Sequence, residues 1–450
     1  MPVRYITVTP ITNLFVPATK SYGDIAIVGA INAAAQGPKK TAVAITNPLS
    51  VSTPSISLTT NAVTPSGNPT LHFAAVPATI VAGMTIADLS AGGAVPAGTT
   101  VQSTTATTVV MSQNAAGPGV GSGDAVQFTN PNNGKPVDDV GWFAGALGSS
   151  IKTAFAQSPG PTTVWAVATD PADAGNAVAN GLAVAAGIEV QIVVLANTPL
   201  LGTGAGQGKS EIEALATHCN TVSNTGADGM ERIGVAMLGG GVTDTTLISG
   251  TMAQNRMTMI AHNSSEDAAA AMAGVIAGYQ PHISMVLKPI ALDMSRRFSA
   301  AEIDTLNHAR INWVTSTPLI PGAGFYMGEG YTLGADQPYV DIVRTIDEIS
   351  FKLKSSLIRS IGVLRVTRAG LRALVSEMAA ELQPLQDQAV IDSYLVYFPL
   401  LILLDKDPAS LSAIELQEIH NAQATRVVDS IVTIEYAGAI HRLNITLKFE

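Results

Sequence analysis

Cysteine, charge and aromatic residues are all scarce in this sequence of 450 residues. It has one cysteine, Cys219, while charged residues make up 13% and aromatic residues 5% of the chain. A single cysteine excludes a disulfide framework within the chain and any cysteine-rich metal module. An average soluble domain has about 25% charged residues. The deficit favours a subunit whose surface is covered by its neighbours, since an isolated soluble protein needs a charged surface.

Long apolar segments and an excess of positive charge are missing as well. The longest apolar run, 394–404, contains Pro399, whereas a membrane-spanning helix needs about 20 apolar residues. We therefore predict that this run belongs to a core and that the protein does not insert directly into a membrane. No basic start followed by an apolar segment opens the chain, so no secretory signal is expected. The formal net charge of −10 argues against a nucleic-acid partner, because binding phosphates requires basic residues.

The nearly uncharged segment 51–135 is predicted to form a small β-sandwich inserted into a larger domain. Up to residue 134 its only charged residues are Asp88 and Asp124. Short runs of β-branched residues alternate there with turns rich in glycine and proline, such as Pro96-Ala97-Gly98. Short strands separated by turn signals are typical of β-sandwiches.

From 136 to 335 the pattern alternates between helices and strands. Asp170 and Pro171 are expected to open one helix, and a capping box from Ser210 to Glu213 is expected to open the next. Buried strands are predicted at 188–195, 233–238 and 283–287, and an alanine-rich helix at 265–278. Strands separated by helices of this length predict a mainly parallel sheet, so the fold class is α/β (α+β) and multidomain.

The last third of the chain is predicted to be mostly helical. Capping boxes begin helices at Ser299 and Ser412, each followed three residues later by a glutamate. Apolar residues recur at helical spacing from 342 to 357. A further helix is expected near 370–383, with Pro384 ending it.

Both ends of the chain have the alternating pattern of β-strands. A strand with one apolar face at the end of a chain must pair with something, because its backbone groups need partners. Two interpretations remain open here: an edge strand of the chain's own sheet, or a strand donated to a neighbouring subunit. The residues assigned to such strand exchange are Tyr5, Ile6, Val8, Ile434, Leu443, Ile445, Leu447 and Phe449.

The segment closest to a catalytic signature is the glycine-rich run from Gly202 to Ser210, which ends in Gly-Lys-Ser. A phosphate-binding P-loop requires a glycine where this chain has Thr203. A flexible loop with Ser210 capping a helix explains the segment more simply. His218 and Cys219 are adjacent and cannot easily share a metal ion, and no zinc-type spacing occurs. We therefore predict no enzyme activity, no metal and no cofactor, with a P-loop nucleotide-binding enzyme as the alternative.

One segment lacks acidic residues although the chain as a whole is acidic. Between Glu348 and Glu377 every charged residue is basic. A solvated helix surface and a docking strip for an acidic partner both explain this pattern. The basic strip consists of Lys352, Lys354, Arg359, Arg365, Arg368 and Arg372.

Several short sequence segments, in their order and spacing, resemble segments of the contractile tail sheath proteins of bacteriophages and related contractile injection systems. Near the start, Tyr22–Ala30 followed by Ile45-Thr46-Asn47 is similar to the opening of the sheath family. Tyr339–Ile346 is similar to a helix start of that family, with Asp341 in place of asparagine and Thr345 in place of arginine. Further similar segments lie at 299–312, 328–333, 433–436 and 443–447.

The resemblance covers 1–50 and 136–450 and implies a discontinuous sheath-like core. The implied parts are an N-terminal strand arm at 1–20, an α/β domain from 21–50 and 136–335, a β-sandwich on the outer surface at 51–135, a C-terminal tube-facing core domain at 336–428 and a C-terminal strand arm at 429–450. The resemblance implies a structural protomer that forms stacked hexameric rings around a tail tube, exchanges strands and contracts to drive the tube through a cell envelope.

The same resemblance implies the partners and the location. The partners would be further copies of the chain, the tail tube protein, which the basic strip would face, and the baseplate and tail terminator proteins. The location would be a virion tail assembled in the host cytoplasm, or a contractile injection particle. A third function remains open, because the phrases of 83–112 resemble β-sandwich modules common on phage and bacterial surfaces: a surface protein that binds a receptor through 51–135.

Overall fold

A computed structural model describes residues 20–46, 56–129 and 143–441, except 33–34, 36, 78–79, 81, 91–92, 174, 226–228, 317–319 and 321–323. The chain divides into two compact units, a larger one from Tyr22 to Val343 and a C-terminal unit that begins at Arg344. No helix in the described ranges is both long and apolar enough to span a bilayer.

The larger unit contains a nine-stranded sheet, a β-sandwich and five α-helices among its described residues. Its strands are β1 (Asp24–Gly29), β2 (Ala42–Ile45), β3 (Ile56–Thr59), β4 (Thr70–His72), β5 (Thr85–Asp88), β6 (Val101–Thr104), β7 (Thr108–Met111), β8 (Ala125–Thr129), β9 (Thr163–Ala168), β10 (Ile192–Leu200), β11 (Ile233–Leu238), β12 (Met257–Ala261), β13 (Pro289–Ile290), β14 (Asn312–Thr315) and β15 (Phe325–Met327). Its helices are α1 (Ala146–Phe155), α2 (Ala177–Ala185), α3 (Lys209–Asn224), α4 (Ala268–Gly278) and α5 (Ala300–His308).

The large sheet is mainly parallel, as predicted. Its strand order is β13-β15-β14-β12-β11-β10-β1-β9-β2, and the six strands from β14 to β9 run parallel to their neighbours. In the centre of the sheet, Ile27 of β1 pairs with Val194 of β10 and with Ala166 of β9. Only the outer strands are antiparallel. The mixed α/β fold class is therefore confirmed.

Helices pack closely against the large sheet. Its central strands β11 and β12 are buried on both faces, and helix α4 is buried on nearly all sides. Every residue of β11 and β12 is buried, as are all residues of α4 except the last. Small side chains let α4 approach α1, and at Gly274 a Cβ atom would collide with the carbonyl oxygen of Ala154. Strands buried on both faces are typical of parallel sheets between helices.

The inserted segment forms two three-stranded antiparallel sheets, ordered β3-β8-β5 and β4-β7-β6. The two sheets share one apolar core, in which Phe73 and Phe128 meet edge to face with ring centroids 5.7 Å apart. This is the predicted small β-sandwich.

The C-terminal unit consists of helices around a two-stranded sheet. Its elements are α6 (Val340–Leu357), which starts at the end of the larger unit, α7 (Arg368–Asp387), β16 (Ile391–Tyr397), α8 (Pro399–Asp405), α9 (Ala413–Thr425) and β17 (Ile431–Tyr436). The predicted capping boxes at Ser299 and Ser412 are both present, with each serine and its glutamate bonding reciprocally. α7 continues past Pro384, which lies in its last turn.

Several predicted element boundaries were wrong. α2 begins at Ala177, not at Asp170. Asp170 and Pro171 belong to a separate turn, in which the carboxylate of Asp170 accepts the N–H of Ala172. β10 is shifted to 192–200, and 283–287 is not a strand.

Two further helix starts also differ from the prediction. Gly208, not Ser210, caps α3. α4 starts at Ala268 because the carboxylate of Asp267 accepts the N–H of Ala270, while it also accepts the hydroxyl of Ser150 and the N–H of Asn197. This buried carboxylate therefore joins α4 to α1 and β10.

A buried arginine stabilises the packing of α2, α3 and β11. The guanidinium of Arg232, which is fully buried, donates to the carbonyl oxygens of Met230, Ala185 and Ile188. One of these carbonyls belongs to Ala185, the last residue of α2, where the helix dipole favours a cation. His218 of α3 lies beside the guanidinium, with 3.4 Å between Nε2 and the nearest arginine nitrogen. Burial, and then the charge of Arg232, lower the pKa of His218 to about 4.

This lowered pKa predicts that the free energy of unfolding depends on pH between 6.5 and 4. An unfolded histidine binds a proton near pH 6.5, whereas folded His218 stays neutral down to about pH 4. The unfolded state therefore binds more protons in this window, and stability falls as the pH falls, by about 3 kcal/mol in all.

Denaturant unfolding at several pH values measures this effect. His218→Gln keeps a neutral polar side chain and should flatten the profile between pH 6.5 and 4. An equally steep profile in this variant would assign the dependence to other groups.

Candidate assembly surface of the C-terminal unit

The two-stranded sheet of the C-terminal unit has no further strand on either side among the described residues. β16 and β17 are antiparallel, with Tyr394 opposite Ile434 and Val396 opposite Val432. Each strand uses one edge for this pairing, so its other edge presents N–H and C=O groups outward. Open edges of a sheet accept further strands.

The inner face of this sheet is held by helices of the same unit. Tyr394, Val396, Val432 and Ile434 pack against a cluster of buried residues formed by Ile349, Leu382, Leu385, Val390 and Ile391. Side chains alternate between the two faces of a strand. The packing therefore fixes which side chains point inward and leaves both edges accessible.

The long apolar run in this region is divided between two elements. Residues up to Tyr397 belong to β16, and α8 starts with Pro399 at its first position, where proline lacks only an N–H that would be unpaired anyway. Phe398 and Leu400 are buried in a second apolar cluster with Leu371. The run thus contributes to a core, as expected.

The structure places Ile434 within the chain's own sheet. Ile434 was assigned to strand exchange in a terminal arm from 429, but it lies in β17 and faces the inner core. The C-terminal arm as predicted therefore includes a strand that already has a partner in its own chain. The other residues assigned to strand exchange lie outside the described part of the chain: Tyr5, Ile6, Val8, Leu443, Ile445, Leu447 and Phe449.

The basic strip lies on two helices and the loop between them. Lys352 and Lys354 belong to α6, Arg368 and Arg372 to α7, and Arg359 and Arg365 to the loop. At least three of the six cations are partly neutralised within the unit. Lys352 pairs with Glu348 at 2.7 Å, and the Asp405 carboxylate lies 2.9 Å from Arg368 and 3.0 Å from Arg372. The strip is therefore less positive than its sequence indicates.

The glycine-rich segment 202–208 connects β10 to α3. Gly208 adopts a left-handed conformation with φ of +81°, and a Cβ atom there would collide with the carbonyl oxygen of Pro199. The Nζ atom of Lys209 lies 4.0 Å from the carboxylate of Glu213, and the hydroxyl of Ser210 donates to Glu211. The two side chains that would bind a nucleotide phosphate and its magnesium thus contact carboxylates of their own helix.

Neither a reactive thiol nor a cluster of metal ligands occurs in the described part of the chain. Cys219 is fully buried, and burial raises the pKa of its thiol to about 12, so the thiol is not a nucleophile. No group of three or more histidine, cysteine or acidic residues in the described part of the chain could hold a metal ion.

Solved structures with a similar fold are subunits of contractile sheaths. The helical sheath of the anti-feeding prophage in its contracted state aligns over 98% of this chain and 99% of its own, at 12% identity and a TM-score of 0.51. The sheath complex of the PVC extracellular contractile injection system in its contracted state aligns over 68% and 81%, at 12% identity and a TM-score of 0.49. The sheath tail protein Lin1278 of Listeria innocua aligns over 94% and 96%, at 11% identity and a TM-score of 0.44.

No protein-family model matches the sequence, and no curated protein matches it. The alignment to the anti-feeding prophage sheath nevertheless includes nearly all of both chains. The sheath resemblance predicted from sequence phrases is therefore confirmed at the level of the fold.

Proposed function

We propose that this chain is a structural protomer of a contractile sheath, which forms stacked hexameric rings around a tail tube and contracts to drive the tube through a cell envelope. The observation that carries this proposal is the β16–β17 sheet with two open edges, in a chain whose fold is that of a sheath subunit. An open edge in a small sheet is a template on which another chain can add a strand.

The strands that complete this sheet are, in this proposal, the terminal segments of neighbouring copies. The C-terminal segment alternates apolar Leu443, Ile445 and Leu447 with polar Asn444 and Thr446. If such a strand were added to an edge, its apolar side chains would extend the apolar inner face of the sheet. Its polar side chains would then face solvent. Main-chain hydrogen bonds do not depend on side-chain packing, so the copies would stay linked while their other contacts rearrange.

Contraction of this kind requires no active site. The energy is the difference between two packings of the same subunits, and a polymer of identical copies changes between them cooperatively. The protein is therefore proposed to be structural rather than an enzyme. Its partners would be other copies, the tube protein, and baseplate and terminator proteins. It would act in a virion tail assembled in the host cytoplasm, or in an injection particle, with the β-sandwich as an outer decoration.

Strand exchange predicts that changing one face of the C-terminal segment abolishes polymerisation. Leu443→Ser combined with Ile445→Ser removes the apolar row that would be buried on a neighbouring copy. This variant, like deletion of 1–12 or of 438–450, should give monomers or isolated rings. Sedimentation and negative-stain electron microscopy of the purified full chain measure the outcome.

The matched control changes the opposite face of the same segment. Asn444→Ser with Thr446→Ser alters as many side chains but leaves the apolar row intact, so tubular polymers should form normally. Deletion of 51–135 should also leave polymerisation intact. Normal tubes from Leu443→Ser/Ile445→Ser and from both deletions would refute strand exchange.

The basic strip is proposed to face the tube, and its α7 residues test this. Arg372→Glu should weaken binding of the sheath protein to polymerised tube protein at least tenfold, because it reverses a charge on the strip. Asp405→Asn also breaks the pair with Arg372, but it leaves the cations in place, so binding should be retained or increased. Cosedimentation at low and high salt measures both. Equal binding by the two variants would remove the strip from the tube contact.

A further inference from the structure

We propose that a side-chain contact also joins neighbouring copies: the loop between α6 and α7 of one copy docks on the outer face of the β16–β17 sheet of the next. The helix loop comprises 358–367, and the outer face comprises the side chains that point away from the helices, centred on Leu395, Tyr397 and Ile431. This inference rests on the proposed function, since it requires that copies assemble, but it uses surfaces other than the strand edges. Arg359 and Arg365 of the basic strip lie in this loop, so the tube contact would then be made by the strip residues of α6 and α7.

The helix loop exposes three aliphatic side chains close together in sequence. Ile358, Ile361 and Val363 are 60%, 75% and 71% exposed. Gly362, with φ of +81°, allows a tight turn that exposes its neighbours Ile361 and Val363. A surface loop is normally polar, and exposed apolar clusters mark interaction sites. The loop therefore has the composition of an interface segment rather than of a solvent-exposed connecting loop.

Three exposed side chains on the outer face of the sheet are apolar, and the other three in the same rows are polar: Ser393, Thr433 and Glu435. Leu395, Tyr397 and Ile431 are 61%, 39% and 55% exposed, and Tyr397 lies directly opposite Ile431 in the strand pairing. An antiparallel sheet with one solvated face normally alternates apolar and polar residues along each strand. Addition of strands at the edges would not cover these side chains, because an added strand lies beside the sheet and not on its face.

The charges around the two apolar surfaces have opposite signs. Arg365 is exposed in the helix loop, although one acidic group, the carboxylate of Glu377, also contacts the loop by accepting the hydroxyl of Ser360. On the sheet, Glu435 lies in the same outward row as Ile431, and the exposed Asp429 precedes Ile431 by two residues. An apolar centre with complementary charges at its rim is the usual composition of a specific interface. This complementarity identifies a second copy of the chain as the occupant.

The symmetry of such a contact fits a polymer. The helix loop and the outer face are different surfaces of one unit, so a copy that donates its loop still has a free outer face. Contacts of this head-to-tail kind either close into rings or continue as helices. A self-complementary contact would instead stop at a dimer.

Disulfide trapping between two single-cysteine variants tests the contact. One sample carries Val363→Cys and the other Leu395→Cys, and the two are mixed before assembly without tube protein. Cys219 can stay, because its buried thiol has a pKa of about 12 and does not react. After mild oxidation of the assembled polymers, peptide mapping should find the 363–395 disulfide in at least tenfold excess over 363–363 and 395–395.

The matched control replaces the loop variant with Val63→Cys, an aliphatic residue of the β-sandwich that is also 60% exposed. Mixed with Leu395→Cys, it should give no specific disulfide. A second arm uses charge: Arg365→Glu should weaken polymerisation at least tenfold, and adding Asp429→Lys to the same chain should restore it.

The outcomes separate this contact from the proposed function. If the unmodified chain forms no polymers under any condition, the proposed function and the contact both fail. If the mixed variants form polymers without the 363–395 disulfide, and Arg365→Glu polymerises normally, the contact is wrong while the sheath function stands. Coverage of the outer face by tube protein would produce this second result.

Discussion

A backbone N–H or C=O group that leaves water must find another partner, and in the C-terminal unit the described strands provide that partner along one edge each. β16 and β17 bond to each other along one edge each. The inner face of their sheet is fixed by apolar contacts with the helices. The helices hold the strands in place but cannot bond to the two outer edges. The proposed sheath lattice builds on these edges, because a strand from another copy could pair with each of them.

The larger unit meets the same requirement internally. The central strands of its nine-stranded sheet have partners on both sides and helices on both faces, and even its polar groups are used locally: Arg232 binds carbonyl oxygens, and Asp267 binds a hydroxyl and two N–H groups. A unit of this kind can act as a rigid body. The larger sheet also has edge strands, β13 and β2, but its many central strands are complete, whereas neither strand of the two-stranded sheet has partners on both sides among the described residues.

Sequence reasoning located elements well where a local interaction decides them. The boxes at Ser299 and Ser412 begin helices because the serine and glutamate satisfy each other within three residues, so no distant contact can shift the start. At Asp170 and Ser210 an equally good local signal was overridden. Asp170 forms its own turn and pairs with Lys39 and Lys40, far away in sequence, and Gly208 ends the preceding loop against Pro199.

The charge of the candidate site was predictable only in part for a similar reason. The run of cations from Lys352 to Arg372 is visible in the sequence, but Asp405 returns to it from another helix, which no spacing rule reveals. The open edges were not predictable either. An alternating strand such as 431–436 shows that a sheet exists, but the number of its strands depends on which other segments reach it.

The exposed apolar side chains are unevenly distributed along the chain. Sixteen large apolar side chains are exposed in the described part of the chain, and twelve of these follow Arg344. The same region holds an unusually large share of the charged residues. Apolar centres surrounded by charge are what protein interfaces require, since the centre provides affinity and the rim provides specificity. The evidence for assembly is therefore concentrated in the C-terminal unit, where both kinds of residue occur together.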